Sequence, residues 1–310
     1  MDANFTRSLI GRLIQSALVI FLVITLVFIA VRAAGDPITV LAPFDASPEA
    51  VEEIRQHYGL DEPLPVQYLA FIWNAVQLDF GDSFRTGQPA MNEVVDRLPA
   101  TLQLGAGALI FSVLVGVPLG VISAVKRGTP VDAICRFVAL IGQATPNFWL
   151  GLMLILVFAV YFGLLPTGGT GGIRNLILPS VALGAVTLAA VLRLTRSGML
   201  EVMESDFIRT ARSKGLTERV IIWRHAIRQA LLPVLTILGI HVGRVIAGTI
   251  VIETVFSWPG IGRLMITSVG SADYPVVQAA VFVVAIVIIA ANFIVDFSYR
   301  FFDPRIRAAA

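Results

Sequence analysis

The apolar positions of this 310-residue sequence are concentrated in six long runs, separated by stretches in which polar residues dominate. The runs cover roughly residues 10–31, 100–124, 134–162, 176–197, 231–255 and 276–299. A helix needs about 20 apolar residues to cross the hydrocarbon core of a bilayer, and every run is long enough. The pattern therefore predicts an all-α polytopic membrane protein with six transmembrane helices. Because six is even, both termini should lie on the same side of the membrane.

Local features of the runs predict how the spans bend and pack. Pro118 lies within the second run and Pro146 within the third. Proline bends a helix, but neighbouring helices can satisfy the freed carbonyl groups in a membrane. Both spans are therefore expected to continue through a kink. The fourth run carries small residues that should let its neighbours approach closely. These residues are Gly184, Ala185, Ala189 and Ala190.

Between the fourth and fifth runs lies a polar connection, SDFIRTARSKGLTERVIIWRHAIRQALLP (residues 205–233), with two short helical patterns. Ser205 is the predicted N-cap of the first helix, and Asp206 adds negative charge at the positive end of its dipole. The apolar residues of this helix are expected on one face and the arginines on another. The apolar set is Phe207, Ile208 and Ala211, and the arginines are Arg209 and Arg212.

The two helical patterns of the 205–233 connection meet at Gly215, where a left-handed residue should end the first helix. Thr217 is the predicted cap of a second helix, whose apolar residues should form one face. These residues are Val220, Trp223 and Ile227. A basic loop, a DNA-binding helix-turn-helix and a docking element for a partner protein would all carry such charge. The position between two spans argues against DNA, and only a docking element also explains the glycine turn.

The 32–98 segment after the first run is the longest polar stretch of the chain. Ser47 followed by Pro48 predicts the start of a helix there, and Gly59 predicts its end. A second helix should carry an apolar face made of Leu69, Ile72, Trp73 and Val76. That face is expected to pack on other loops of the same side or to lie at the membrane interface. Docking of an extracytoplasmic partner is the alternative function of the segment.

The charge distribution supports a membrane protein and gives it an orientation. Charged residues make up only 14% of the chain, where a soluble domain would carry about a quarter. Counted over the connections and the ends of the runs, fifteen Lys and Arg fall on the side that holds the termini and the 205–233 connection, and six fall on the other. By the positive-inside rule, both termini and the connection are predicted to be cytoplasmic.

Polar residues inside the fifth run are candidates for a function because ionisable groups are costly in a membrane. His241 and Arg244 are three residues apart and should share a helix face, with Glu253 nearer the end of the run. They could line a translocation pathway or gate. Equally, they could form hydrogen bonds or ion pairs that hold the helices together, within this chain or with another subunit.

Several kinds of catalytic site are absent from the sequence. The only lysines are Lys126 and Lys214, and neither follows a glycine, so the chain has no Walker A phosphate loop. With three histidines and one cysteine it has no HExxH motif and no metal-ligand spacing, and it has no GxSxG motif. We therefore expect no enzymatic activity, no metal and no cofactor on this chain.

Several motifs of the sequence, in the same order, resemble the permeases of dipeptide and oligopeptide ABC importers. They are RQHYGLDEPLPVQYL, LPATLQLGAGAL, PNFWLGLMLILVF, LPTGG, RLTRSGMLEVMESDFIRTARSKGL and IETVFSWPGIGRLM followed by DYPVVQA. In this family the stretch around DFIRTARSKGL resembles the "EAA" loop that docks ATPase subunits. The Glu-Ala-Ala positions read Arg209-Thr210-Ala211 here, a departure that fits the peptide branch. The resemblance assigns the coupling helix to ten residues. They are Asp206, Phe207, Ile208, Arg209, Thr210, Ala211, Arg212, Lys214, Gly215 and Leu216.

The resemblance implies a type I ABC importer permease fold in the bacterial inner membrane. It divides the chain into residues 1–97 (first span and extracytoplasmic segment), 98–300 (permease core, with coupling loop 198–230) and a cytoplasmic tail, 301–310. The implied partners are a second homologous permease, two ATPase subunits that hold ATP and Mg²⁺, an extracytoplasmic binding protein and membrane lipid, with no nucleic acid. The substrate stays open among dipeptides, oligopeptides, glutathione, nickel chelates, opines and sugars. A self-contained secondary transporter or channel with a relay of His241, Arg244 and Glu253 is the alternative.

Overall fold

Helices make up the regular secondary structure in the part of the chain that the computed structural model describes, residues 3–35, 38, 47–57 and 59–302. We number the helices in chain order. They are α1 (Ala3–Ala34), α2 (Pro48–His57), α3 (Leu64–Val76), α4 (Ala90–Val125), α5 (Pro130–Ala144), α6 (Asn147–Leu154, continued by a π-helix, Ile155–Tyr161), α7 (Ile173–Met203), α8 (Asp206–Ser213), α9 (Glu218–Val220, continued by a π-helix, Ile221–Ala226), α10 (Ile227–Ala230), α11 (Leu232–Val255), α12 (Ile261–Gly270) and α13 (Tyr274–Phe302). The predicted 301–310 tail lies outside the described residues apart from its first two, which end α13.

Five of these helices are long and apolar enough to cross a membrane, and the number rises to six if one bent pair of helices is counted as a single span. The pair is α5 and α6, which correspond to the predicted run 134–162 and are bent by 113°. The prediction of one kinked helix there was wrong. Thr145 and Pro146 both adopt extended backbone angles, with ψ of 128° and 134°. Proline disfavours the helical conformation in the residue before it, so the helix stops and restarts after Pro146. Pro118, by contrast, lies inside an unbroken α4.

The described residues pack as two compact units. One comprises the chain up to Ala100 together with Gly260–Ala290, and its core includes Val94, Val276 and Ala279, all fully buried. A polar contact within this unit joins the 32–98 segment to the turn before α13. The Ser83 hydroxyl donates to the buried Asp273 carboxylate at 2.5 Å, and the Phe84 backbone N–H donates to it at 3.0 Å.

The predicted start and end of α2 are confirmed. The Ala50 N–H donates to the Ser47 hydroxyl at 3.2 Å, and Gly59 has φ +60°. Within the described residues, Ile72 of the apolar face predicted for α3 lies against the core, and the rest of that face is exposed. Leu69, Trp73 and Val76 are 65%, 67% and 72% exposed.

The second compact unit, Thr101–Pro259 with the end of the last helix, is built around α7. In the most apolar stretch of α7, 72% of the residues are buried inside the chain. As predicted, its small residues allow close approach. A Cβ added at Gly184 would lie 2.7 Å from the Ala108 carbonyl oxygen of α4, and one added at Gly142 of α5 would lie 2.8 Å from the Ala185 carbonyl oxygen. Helices α4 and α5 therefore contact α7 through backbone that tolerates no larger side chain.

Candidate functional site in the connection between the fourth and fifth spans

Helix α8, the predicted coupling helix, is anchored to the ends of two spans. Ile208 is fully buried and Ala211 is 9% exposed. They pack with Val121 and Ala124 at the end of α4 and with Met199 near the end of α7, in one apolar cluster. Because each of these side chains is buried, α8 cannot shift relative to the two span ends without opening the cluster. Helix α8 is therefore held in one apolar cluster with the ends of both spans.

The other side of α8 is exposed. Phe207, predicted to share one face with Ile208 and Ala211, is 38% exposed and lies at the edge of the buried face. The buried face is centred on Ile208, and a neighbouring residue points about 100° away around a helix. The remaining exposed residues of the predicted site are Asp206, Arg209, Thr210, Arg212, Lys214, Gly215 and Leu216. The exposed surface thus combines an aromatic ring, a leucine and three cationic side chains.

The beginning of α8 differs from the prediction in its cap. Ser205 occupies the N-cap position, but its hydroxyl donates to the Val202 carbonyl at 2.5 Å and makes no capping bond. The Ser205 carbonyl instead accepts the first bonds, from the N–H groups of Ile208 and Arg209, both at 3.2 Å. Thr217 likewise makes no side-chain cap for α9. Asp206 pairs with Arg209 at 3.4 Å, and both side chains are highly exposed, so the pair contributes little stability.

Gly215 ends α8 as predicted. Its φ is +77°, in the left-handed region. The Gly215 N–H donates to the Arg212 carbonyl at 2.9 Å, and the Leu216 N–H donates to the Ala211 carbonyl at 3.3 Å. This pair of bonds is a Schellman motif, which satisfies the last carbonyls of a helix and reverses the chain. A Cβ at Gly215 would meet nothing within 4 Å, so the requirement for glycine comes from the backbone conformation.

An ion pair that the sequence did not reveal spans the glycine turn. Arg212 Nε lies 2.7 Å from Glu218 Oε1, and Arg212 Nη2 lies 3.4 Å from Glu218 Oε2. The hydrogen bond from Arg212 lowers the pKa of the Glu218 carboxyl below its ordinary value, and the same bond raises the pKa of Arg212. Both side chains are about half exposed, so screening by water keeps the free-energy contribution small. The bond links the last turn of α8 to the first residue of α9.

The second predicted helix of the connection has a different register. Six of its residues, Ile221–Ala226, form a π-helix. The buried side chains are Ile221, Ala226 and Ala230, and the first two are five residues apart, which is the hydrogen-bond spacing of a π-helix. Two residues of the predicted apolar face, Val220 and Trp223, are 37% and 52% exposed, so the face that is buried in this chain is a different one. These two side chains add further apolar surface to the exposed side of the connection.

The end of the connection lies directly against α7. A Cβ added at Gly198 would lie 2.8 Å from the Ala230 carbonyl oxygen and 3.2 Å from the Ala230 Cα. The backbones of α7 and α10 are thus as close as glycine allows. Together with the buried cluster, this contact ties both ends of the connection to one helix.

Close to this cluster lies a buried polar network that sequence reasoning missed. The Asp132 carboxylate of α5 is 1% exposed and accepts bonds from Arg196 Nε and Nη2 of α7, at 2.9 and 3.0 Å. It also accepts bonds from the Ser123 hydroxyl of α4 at 2.6 Å and the Gly128 N–H at 3.1 Å. One carboxylate therefore joins the ends of three helices. Asp132 stands in the first turn of a helix, where an acidic residue is common, so the sequence did not single it out.

The structure separates the three predicted pathway residues. His241 is 5% exposed, and its Nδ1 lies 3.0 Å from the Thr187 hydroxyl of α7. Glu253 is fully buried and accepts a bond from the Thr101 hydroxyl of α4 at 2.7 Å. Twelve residues of helix, about 18 Å, separate His241 from Glu253. Arg244, three residues from His241, is exposed. His241 and Glu253 thus each join α11 to another helix, and a role for the three residues in a pathway stays a prediction.

No group of three or more His, Cys, Asp or Glu side chains that could hold a metal ion occurs within residues 3–35, 38, 47–57 and 59–302. The described groups of the site are suited to contacts between proteins. They comprise an anchored helix, an exposed apolar and basic surface, and a network that fixes the span ends.

Comparisons with known families match almost the whole chain. Residues 116–308 match the family described as "Binding-protein-dependent transport system inner membrane component". Residues 5–105 match the family described as "Binding-prot-dependent transport system membrane comp, N-term". Among solved structures, a chain of the inward-facing MetNI methionine ABC transporter aligns with a TM-score of 0.57 at 19% identity. It covers 69% of this chain and 97% of that chain, and the likeness confirms the predicted type I ABC importer permease fold.

Curated relatives are similar over nearly their full lengths. The dipeptide transport system permease protein DppB of Escherichia coli (strain K12) is 42% identical over 305 residues, which are 88% of this chain and 90% of that protein. The di/tripeptide transport system permease protein DppB of Pseudomonas aeruginosa is 39% identical over 334 residues, 98% of each. The glutathione transport system permease protein GsiC of E. coli (strain K12) is 40% identical over 299 residues, 96% of this chain and 98% of that protein. The chain therefore belongs to the family of inner membrane components of binding-protein-dependent transport systems.

Proposed function

We propose that this chain is one of two permease subunits of an ATP-driven importer and forms half of its translocation pathway. The observation that carries the proposal is that α8 has one buried side and one exposed side. Its Ile208 and Ala211 side chains are buried against the ends of α4 and α7, while Phe207, Arg209 and Lys214 are exposed. A motor protein that grips the exposed side would move two spans through a rigid contact. ATP and Mg²⁺ would be bound by partner ATPase subunits.

The substrate of the importer is proposed to be a peptide. The relatives that are 39–42% identical are named as transporters of dipeptides, of di- and tripeptides and of glutathione, which is itself a peptide. An extracytoplasmic binding protein would deliver this substrate. The excess of Lys and Arg on the side of the 205–233 connection supports cytoplasmic termini and a cytoplasmic coupling helix.

The exposed face of α11 supports a second permease subunit. Exposed residues follow one helical stripe along this span. They are Thr236, Ile240, Arg244, Ala247, Val251 and Thr254. An arginine in the middle of a span costs roughly 2.5–3.5 kcal/mol when it faces lipid, so it should face protein or water. In a pathway between two permeases, Arg244 would contact both protein and water. Movement of α4 and α7 together with α8 would open that pathway to alternate sides of the membrane.

Substitution of Phe207 tests the coupling assignment. Phe207→Ala removes an exposed ring and leaves the buried cluster intact, so the chain should fold and reach the membrane. We expect co-purifying ATPase subunits to be lost and peptide uptake to fall with them. Trp223→Ala is the matched control because Trp223 is exposed in the same connection but lies outside α8. Equal loss of the ATPase in both variants, or retention in both, would contradict a specific role for α8.

The substrate is tested separately by uptake in vesicles that contain the complex and its binding protein. Labelled dipeptides, tripeptides and glutathione should be accumulated in an ATP-dependent way, and free amino acids should not. Accumulation of a non-peptide solute alone would overturn the substrate class while leaving the coupling assignment in place.

A further inference from the structure

Helix α3 carries an exposed apolar stripe that neither the core nor the coupling site explains. Val66, Leu69, Trp73 and Val76 follow helical spacing and are between 47% and 72% exposed. The thirteen residues of α3 include no Asp, Glu, Lys or Arg. The opposite side of the helix is buried, since Ala75 is fully buried. Helix α3 is therefore apolar on two sides, of which one is buried and the other is exposed among the described residues.

The position of α3 is fixed by contacts with α1. The Thr25 hydroxyl lies 2.7 Å from the Tyr68 hydroxyl, and the Phe28 ring lies 5.3 Å from the Tyr68 ring and 5.5 Å from the Phe71 ring. Arg32 donates a hydrogen bond to the Gln67 side chain. The middle of α3 is thus held against the last turns of the first span.

With the first span centred on a bilayer, the same contacts set the depth of α3. The span Ile10–Ala33 has 24 residues, about 36 Å of helix, and so exceeds a hydrocarbon core of about 30 Å by roughly 3 Å at each end. Thr25 lies eight residues before Ala33 and Phe28 lies five before it. Their contacts with α3 therefore fall roughly 4–9 Å inside the hydrocarbon boundary. Helices that lie in the membrane interface bury their apolar faces to about this depth.

The neighbouring surface of α1 is apolar and exposed over the same stretch. Only 17% of the span is buried within the chain, and Leu22, Leu26 and Ile29 are 49%, 64% and 55% exposed. Charged residues flank α3 without entering it, with Asp61 and Glu62 before the helix and Asp79 after it. Tryptophan is enriched at the boundary between lipid and water, and Trp73 is the largest residue of the stripe.

We propose that α3 is an interfacial helix whose stripe of Val66, Leu69, Trp73 and Val76 is inserted into the lipid leaflet that the end of α1 reaches. The stripe continues the lipid-facing surface of the first span sideways along the membrane. It would hold the 32–98 segment at a fixed height on the bilayer. This proposal concerns lipid contact only and does not depend on the substrate or on the coupling helix.

Fluorescence quenching in vesicles tests the proposal on the full-length chain with the subunits that accompany it. Trp73→Cys and Leu69→Cys are labelled with an environment-sensitive fluorophore, and quenching by nitroxide on the fifth acyl carbon of phospholipids is compared with quenching by iodide in water. Leu26→Cys serves as the lipid-facing reference and Glu53→Cys on α2 as the exposed aqueous reference. The wild-type chain is the labelling blank because its Cys135 is buried, at 4% exposure.

We expect labels at positions 69 and 73 to show blue-shifted emission and to lose fluorescence to the nitroxide lipid as strongly as the label at position 26. Iodide should quench them several-fold less than the label at position 53. Quenching by iodide at the level of position 53 would overturn the proposal, because the stripe would then face water. Protection from both quenchers would also overturn it, because a protein surface would then cover the stripe.

Discussion

Replacement of Gly215 by valine should uncouple ATP hydrolysis from transport. Gly215 has φ +77°, and a Cβ there would meet nothing within 4 Å, so the substitution introduces backbone strain and no clash. A left-handed conformation costs an ordinary L-residue roughly 1–2 kcal/mol, and a β-branched one at least that much. Such a cost lowers the population of a local structure about 5- to 30-fold. The structure at risk is the Schellman turn that holds α8 at its angle to α9.

The assay measures peptide uptake and ATP hydrolysis in the same preparation of vesicles with the ATPase subunits and the binding protein. In Gly215→Val we expect uptake per ATP hydrolysed to fall by a factor within that 5- to 30-fold range. Gly215→Asn should be milder because asparagine tolerates the left-handed region. Uptake per ATP should therefore decrease from Gly to Asn to Val at position 215, in the order in which these residues disfavour a positive φ.

Gly59 provides a matched control. It has φ +60°, nothing within 4 Å of its added Cβ, and the same two hydrogen bonds, from Gly59 N–H to the Gln56 carbonyl and from Leu60 N–H to the Arg55 carbonyl. Gly59→Val thus introduces the same strain at the end of α2, far along the chain from the connection. Its uptake per ATP should equal that of the wild type. Normal coupling in Gly215→Val, or equal uncoupling in Gly59→Val, would refute the reasoning.

Two further predictions concern charged groups of the second compact unit. Asp132→Asn removes the charge that pairs with Arg196 in a buried site, so it should lower the stability of the purified complex by about 3 kcal/mol, seen as a lower melting temperature. Arg136 is the control, because its side chain is 58% exposed and lies 3.5 Å from Asp132, and Arg136→Gln should change the melting temperature little. Equal effects of the two substitutions would contradict the role of the buried network. Because the pKa of Glu218 is lowered in the folded chain, its bond to Arg212 stabilises the turn above the ordinary carboxyl pKa and is lost as pH falls through the lowered value. Hydrogen exchange of the turn amides should therefore quicken relative to Glu218→Gln on acidification, and a pH dependence identical in both chains would contradict the assignment.

Local chemistry was predictable wherever one residue determines one conformation. Gly215 and Gly59 both adopt positive φ, and Ser47 with Pro48 starts a helix as the sequence indicates. The membrane-spanning helices were equally predictable, because the length of an apolar run is a property of the sequence alone. In these cases the signal and the structure involve the same few residues.

The predictions failed where distant residues decide the outcome. Asp132 and Arg196 are 64 positions apart, and nothing in the sequence pairs them. Phe207 was placed with Ile208 by periodicity, but the side of α8 that is buried depends on where Met199 and Val121 lie. The π-helix at Ile221–Ala226 moves the buried positions out of α-helical spacing, and the amino-acid composition of this segment does not predict a π-helix. At Pro146 the sequence indicated a disturbance, and its size of 113° was set by the restart of the helix.

The π-helix also determines how the chain tolerates insertions and deletions. A π-helix bonds residues five apart where an α-helix bonds residues four apart, so Ile221–Ala226 holds one extra residue in its turn. Loss of one residue between Ile221 and Ala226 would therefore be absorbed by conversion of this segment to α-helix, and His241 would stay against Thr187. The same loss at the beginning of α11 would turn the rest of that span by about 100° and move the stripe that carries Arg244. The π-helix is thus the position next to this span at which a change of length disturbs the packing least.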